Sequence, residues 1–223
     1  MSVDDELPTI VYVDENDDAR EDFYIDATRS RLFKDVIILP PSAELNEMIN
    51  ELLGREFEAL ITDFRLADAG PVNYDGSLLV ERFLEVRSGF PCFIRTSYDD
   101  EAVATAADVN RVYSKESKGQ ETPHRAFFER VGKQIARQRN QVAAWADELE
   151  ALVANGVGGV SAATIDRVLE LDSNLEGYLG GERAVAIAAK RNLFDENARA
   201  KQLELLRETE NLVRDIKEAL NDR

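Results

Sequence analysis

An acid pair at Asp14 and Glu15, a single acid at Asp63, a hydroxyl at Thr96 and an ammonium at Lys115 share one feature: each follows or ends a short apolar run. Carboxylates are poor neighbours for one another, because each charge raises the pKa of the next. Three of them brought to one place therefore point to a hard divalent cation with oxygen ligands, for which Mg²⁺ is the best suited. A hydroxyl and an ammonium beside that cation are the groups that would surround a phosphoryl oxygen. The chemistry these residues could do together is phosphoryl transfer.

The runs that precede them must bring them together. "TIVYV" (9–13), "DVIIL" (35–39), "ALIT" (59–62), "CFIRT" (92–96) and "RVYS" (111–114) are short and rich in Val, Ile and aromatics, as strands are. Between them lie "DDAREDFYIDATRSRL", "SAELNEMINELLG", "GSLLVERFLEVRSG" and "DDEAVATAADV", whose apolar residues recur every three or four positions. Ser42 is placed to start the second of these helices and Gly54 to stop it. Strands alternating with helices predict a parallel sheet covered on both faces. In such an open, doubly wound sheet, ligands bind beyond the carboxyl ends of the strands, which is where all five side chains fall.

Those same segments carry a resemblance. "IVYVDEN", "ALITDFRL", "FIRTS" and "VYSKES", in that order over roughly residues 7–120, resemble the receiver domain of two-component response regulators. The resemblance implies a five-stranded, parallel, flavodoxin-like α/β fold. It also implies a phosphoacceptor at Asp63, an Mg²⁺ site at Asp14, Glu15, Asp63 and the backbone carbonyl of Arg65, a switch hydroxyl at Thr96 and a phosphate-binding lysine at Lys115. Four details depart from the family's usual pattern. Glu15 stands where Asp is commoner, Glu116 follows Lys115 where proline is usual, Val112 precedes Lys115 by three residues where an aromatic is common, and the loop "RLADAGPVNYDG" is long.

The pattern changes after Lys115. "ESKGQETP" is polar and ends in Thr122-Pro123, an N-cap followed by proline at the first helical position. Beyond it no strand signal remains, which predicts a receiver domain over 1–121 and an all-α bundle over 122–223. Phe128, Val131, Ile135, Gln138, Val142, Trp145, Leu149 and Leu152 form a heptad-like seam broken only by Gln138. "NGVGG" (155–159) and Gly180-Gly181 end helices, Ser161 can cap one, and a last helix is expected over roughly 195–221. The seam is satisfied either by helices of the same chain or by a second copy; a helical dimer whose arrangement depends on Asp63 is the reading put to test.

Composition limits the rest. The 223 residues are 44% hydrophobic and 32% charged, as in a folded chain, with a net charge of −17. Residues 1–124 hold 12 Lys and Arg against 27 Asp and Glu, and residues 125–223 hold 15 against 17. Neither half has the basic excess that phosphate backbones attract, which disfavours nucleic acid as a partner. No apolar run nears the ~20 residues that span a bilayer and the start "MSVDDELP" is unlike a signal peptide, so a cytoplasmic location without membrane contact is expected. Cys92, the single cysteine, reads as a buried thiol. His124, the single histidine, reads as a solvated helix-start residue rather than a phosphate relay.

The function expected is that of a response regulator in a phosphorelay. It would take a phosphoryl group from a histidine kinase or phosphotransfer protein and pass the change through its helical half to a protein partner or a homodimer interface. It would be a phosphoacceptor with autophosphatase activity at most, not otherwise an enzyme. The alternative is a constitutive helical adaptor or scaffold with a degenerate receiver domain. A transcription factor is a third reading, against which no helix-turn-helix is recognisable in the back half.

Overall fold

The computed structural model describes residues 7–68, 70–97, 108–115, 123–154, 162–179 and 200–221. The expected helix over 99–109 lies outside the described residues except at its end, as do Glu116, Thr122, the glycines of 155–159, Ser161, Gly180, Gly181 and the side chain of His124. The chain divides into two compact units, one formed mainly by residues 4–85 and 90–138, the other mainly by 139–223.

The first unit is built on five strands, β1 (Thr9–Val13), β2 (Asp35–Leu39), β3 (Ala59–Thr62), β4 (Cys92–Thr96) and β5 (Val112–Ser114). They form one parallel sheet in the order β2-β1-β3-β4-β5. Arg111, expected in the last strand, belongs instead to a 3-10 turn, Val109–Arg111, whose cap is the Asp108 side chain. The sheet registers Val13 against Leu39 and Thr62, and Thr96 against Ser114. The strand ends that precede Asp14 and Asp63 are thus level, whereas β4 and β5 run two residues further, because Thr62 stands against Ile94 and Ile94 against Val112.

Both faces of the sheet are covered, as the alternation of β and α requires. Val11, Val13, Leu60, Cys92 and Ile94 meet α2 (Leu45–Leu53) and α3 (Gly76–Val86) on one face. Ile10, Tyr12, Ala59, Ile61 and Phe93 lie on the other with Phe23 and Ala27 of α1 (Asp17–Ser30). Helix α1 starts at Asn16, whose side chain accepts the Ala19 N–H at 3.1 Å, and stops at Arg31 in the left-handed region. Helix α2 stops at Gly54 as expected, but its N-cap is Glu44 rather than Ser42. The Ser42 carbonyl instead accepts the Tyr74 hydroxyl at 2.8 Å, and its own hydroxyl reaches Glu51 at 3.4 Å. Its polar groups are spent on tertiary contacts, which local sequence cannot reveal.

The long helix α4 (Pro123–Ala154) is shared between the units. Phe128, Val131 and Ile135 are fully buried on the α1 side of the sheet, with Phe128 edge-on to Phe23 and Phe33. The sheet unit therefore runs to Gln138, past the expected boundary at 121/122. The physical reason is packing: Phe128, Val131 and Ile135 share one buried cluster with Ile10, Ile61 and Phe93 of the sheet and with Phe23 of α1.

The second unit holds the rest of α4 with α5 (Ala162–Leu179) and α6 (Ala200–Asn221). Val142, Ala146 and Leu149 pack on Leu171, Leu175 and Tyr178 of α5 and on Leu212, Val213 and Ile216 of α6. At the rim Arg167 forks onto Glu148 with two bonds of 2.7 Å, and Lys217 reaches Glu150. The seam expected to mediate a dimer is thus satisfied within the chain along both halves of α4. Gln138, its one polar member, has an amide nitrogen without a hydrogen-bond partner among the described residues.

Candidate functional site

β1 and β3 each deliver an acid from a buried strand end. The Asp14 N–H donates to the Leu39 carbonyl at 3.3 Å and the Asp63 N–H to the Val13 carbonyl at 2.8 Å, so both extend the ladder by one residue. Lys115 does the same at β5, its N–H reaching the Thr96 carbonyl at 2.7 Å. Thr96 itself is fully buried.

The ammonium of Lys115 joins the two acids, at 3.0 Å from Asp14 Oδ2 and 2.6 Å from Asp63 Oδ1. Burial opposes the charge on Lys115, but the carboxylates of Asp63 and Asp14 outweigh it and hold the pKa above its ordinary value. Asp63 is oriented from its other side, where Oδ2 accepts the Arg65 N–H at 2.6 Å. Gly76 presses on the same residue from behind: a Cβ there would lie 2.0 Å from the Asp63 carbonyl oxygen, so only glycine lets α3 start where it does. Its N–H ties to the Phe64 carbonyl at 2.8 Å, which closes the long loop.

Of the expected site residues, Asp14, Asp63 and Lys115 form one bonded cluster, with Thr96 joined to it through the backbone. The three carboxylates do not close into a ready ligand set; among the described residues no three Asp, Glu, His or Cys side chains do. Lys115 stands between two of them instead. Glu15 is the odd member: burial first, then the charges of Asp14 and Asp63, push its pKa up to about 7. Its Oε2 is buried without a hydrogen-bond partner. An orphaned carboxylate oxygen beside two more acids fits a small divalent cation, which commonly takes one or two carboxylates and keeps water in its other positions.

The front unit has a five-stranded parallel α/β fold. Its sheet order is that of the flavodoxin-like, doubly wound class, with the acids at the reversal point between β1 and β3. No family model matches the chain, and no curated protein matches its sequence. Similar solved structures include a "transiently phosphorylated switch in bacterial signal transduction", at 17% identity over 59% of this chain and 97% of that one, with a TM-score of 0.42. The apo receiver domain of nitrogen regulatory protein C matches at 17% identity over the same shares, with a TM-score of 0.44. Full-length FixJ from B. japonicum matches at 18% identity over 94% of this chain and 95% of that one, with a TM-score of 0.46. Structures of RcsB bound to DNA also match, at 15% and 13% identity with TM-scores of 0.41. No helix among the described residues is long and apolar enough to cross a membrane.

Two residues of the site escaped the sequence reading. Tyr12, in the middle of β1, donates its hydroxyl to Asp14 Oδ2 and stacks on Phe23 at 3.9 Å between centroids. Burial and the charge of Asp14 push its pKa far up, so it stays a donor. Arg95, buried in β4, lies over the rings of Phe23 and Phe127 at 5.6 and 5.5 Å. The available signal was a charge inside an otherwise apolar strand. The departure at Val112 also finds its place: Val112 faces α2 and α3, and Tyr113 turns to the α4 face, against Phe93, Phe127 and Arg130.

Proposed function

We propose that this chain is a cytoplasmic response regulator that accepts a phosphoryl group on Asp63 from a histidine kinase or phosphotransfer protein. The observation that carries the reading is the Asp63 carboxylate, set at the end of a buried strand and held by Lys115 on one oxygen and the Arg65 N–H on the other. In the transfer, a carboxylate oxygen of Asp63 attacks phosphorus while the bond to the donor imidazole breaks. The imidazole leaves with that electron pair, and an aspartyl phosphate remains. Lys115 offsets charge on the transferred group, and Thr96 offers a hydroxyl at the end of the adjoining strand. Asp14, Glu15, Asp63 and the Arg65 carbonyl would hold Mg²⁺, which when bound neutralises phosphoryl oxygens.

The receiver comprises the expected residues 1–121 together with α4 up to Gln138, and the helical output region follows. That region passes the change to a protein partner or to a homodimer interface. A small phosphodonor with Mg²⁺ should add one labile phosphoryl group, read by intact mass, and Asp63→Asn should abolish the addition. Equal labelling of the two proteins, or none of either, would replace this reading with the adaptor whose receiver is degenerate.

A further inference from the structure

We propose that Tyr12 is a positioning residue for the cation at the acid site, fixing through its hydroxyl which face of Asp14 is presented; this rests on the reading of Asp14, Glu15 and Asp63 as an Mg²⁺ site. A carboxylate has about four lone-pair positions. On Asp14, Oδ1 accepts the Asn16 N–H at 2.9 Å, and Oδ2 accepts both the Tyr12 hydroxyl and the Lys115 ammonium. Three positions are spoken for, and one direction is left toward which Asp14 can donate. The Asp14 backbone is held as well, its carbonyl accepting from Arg20 at 2.6 Å.

The hydroxyl is a fixed donor because its ring cannot move. Tyr12 is 1% exposed and lies nearly parallel to Phe23, at an interplanar angle of 10°. Phe23 is in turn edge-on to Phe128 of α4 and covered by the Arg95 guanidinium. The ring stack thus ties one oxygen of the acid site to α1 and to the first half of α4. Residues that hydrogen-bond a metal's ligands commonly change metal affinity about 10–100-fold when lost, because the ligand then samples other orientations.

The test is Tyr12→Phe in the full chain, which keeps the stacked ring and removes only the hydroxyl. Mg²⁺ affinity is measured by calorimetry without phosphodonor, and phosphorylation by intact mass across a range of Mg²⁺ concentrations. The Kd for Mg²⁺ should rise about tenfold, and the Mg²⁺ concentration for half-maximal phosphorylation should rise with it. A Kd within twofold of wild type, or a tighter one, overturns the role of Tyr12 and leaves the Mg²⁺ site standing. A wild-type chain that binds no Mg²⁺ overturns both. Should Tyr12→Phe fail to fold, Phe23→Leu keeps the hydroxyl and removes the stack; it should weaken Mg²⁺ several-fold, and unchanged affinity there also refutes the proposal.

Discussion

Glu15 gives the sharpest forecast, because a carboxyl whose folded pKa is raised makes folding uptake a proton. Its pKa rises from 4.5 to about 7, through burial first and then the charges of Asp14 and Asp63. Between those two values the folded chain binds more protons than the unfolded one, so stability falls as pH climbs through this window and levels off above it. At about 1.4 kcal/mol per pKa unit the full shift would amount to about 3 kcal/mol. Glu15 is only half-buried, and solvent screening reduces this to roughly 1–2 kcal/mol. Glu15→Gln removes the charge but keeps the shape, so it should stabilise the sheet unit by that amount at pH 8 and by almost nothing at pH 4. Denaturant-dependent hydrogen exchange of the β1 and β3 amides, with chelator present, reads the unit directly. Saturating Mg²⁺ at pH 8 should erase the advantage of the variant, since the cation offsets the same repulsion. A wild-type stability that is flat from pH 5 to 8, or a variant equally stabilised at both ends, would refute the reasoning.

Three further outcomes are expected. Gly76→Ala should cost roughly 2–4 kcal/mol in urea unfolding, although alanine is the better helix former, because the added methyl meets the Asp63 carbonyl; a stabilised variant would mean that α3 starts with room to spare. Phe128→Ala should cost about 3–5 kcal/mol and lower exchange protection in β1 of the sheet unit, where Phe128 is buried; loss confined to α5 and α6 would contradict that packing. Val142→Asp places an unpaired carboxylate in the core of the helical unit and should abolish its cooperative melting by circular dichroism. Intact helicity with a halved mass by sizing would return the seam to a dimer interface.

Four of the five strands were legible because each is a four- or five-residue, largely apolar run, β5 being shorter and half-buried, and Asp63 could be noticed because it ends such a run. The same property concealed Tyr12 and Arg95. When both faces of a sheet are buried, an amphiphilic residue inside a strand has no solvent-facing position to give it away. The role of α4 was hidden for a different reason. Phe128 to Leu149 show a stripe at helical spacing, and a stripe states that a face will be covered without stating by what. Here the cover changes along one helix, from the sheet and α1 at Phe128 to α5 and α6 at Leu149. Ser42 does not cap α2 because its hydroxyl, the group a cap would use, reaches Glu51 instead.

Cys92 has a practical consequence. It is the single thiol of the chain, 3% exposed at the head of β4 and registered against Leu60 of β3. A thiol reagent can reach it only when the core between the sheet and α2 and α3 opens, so the labelling rate of the unmodified protein is a clock for that opening. No engineered reporter is needed. If aspartyl phosphate formation tightens the packing around β4, the clock slows; if the phosphorylated Asp63 loosens it, the clock runs fast, and both are read on a single sulfur by mass.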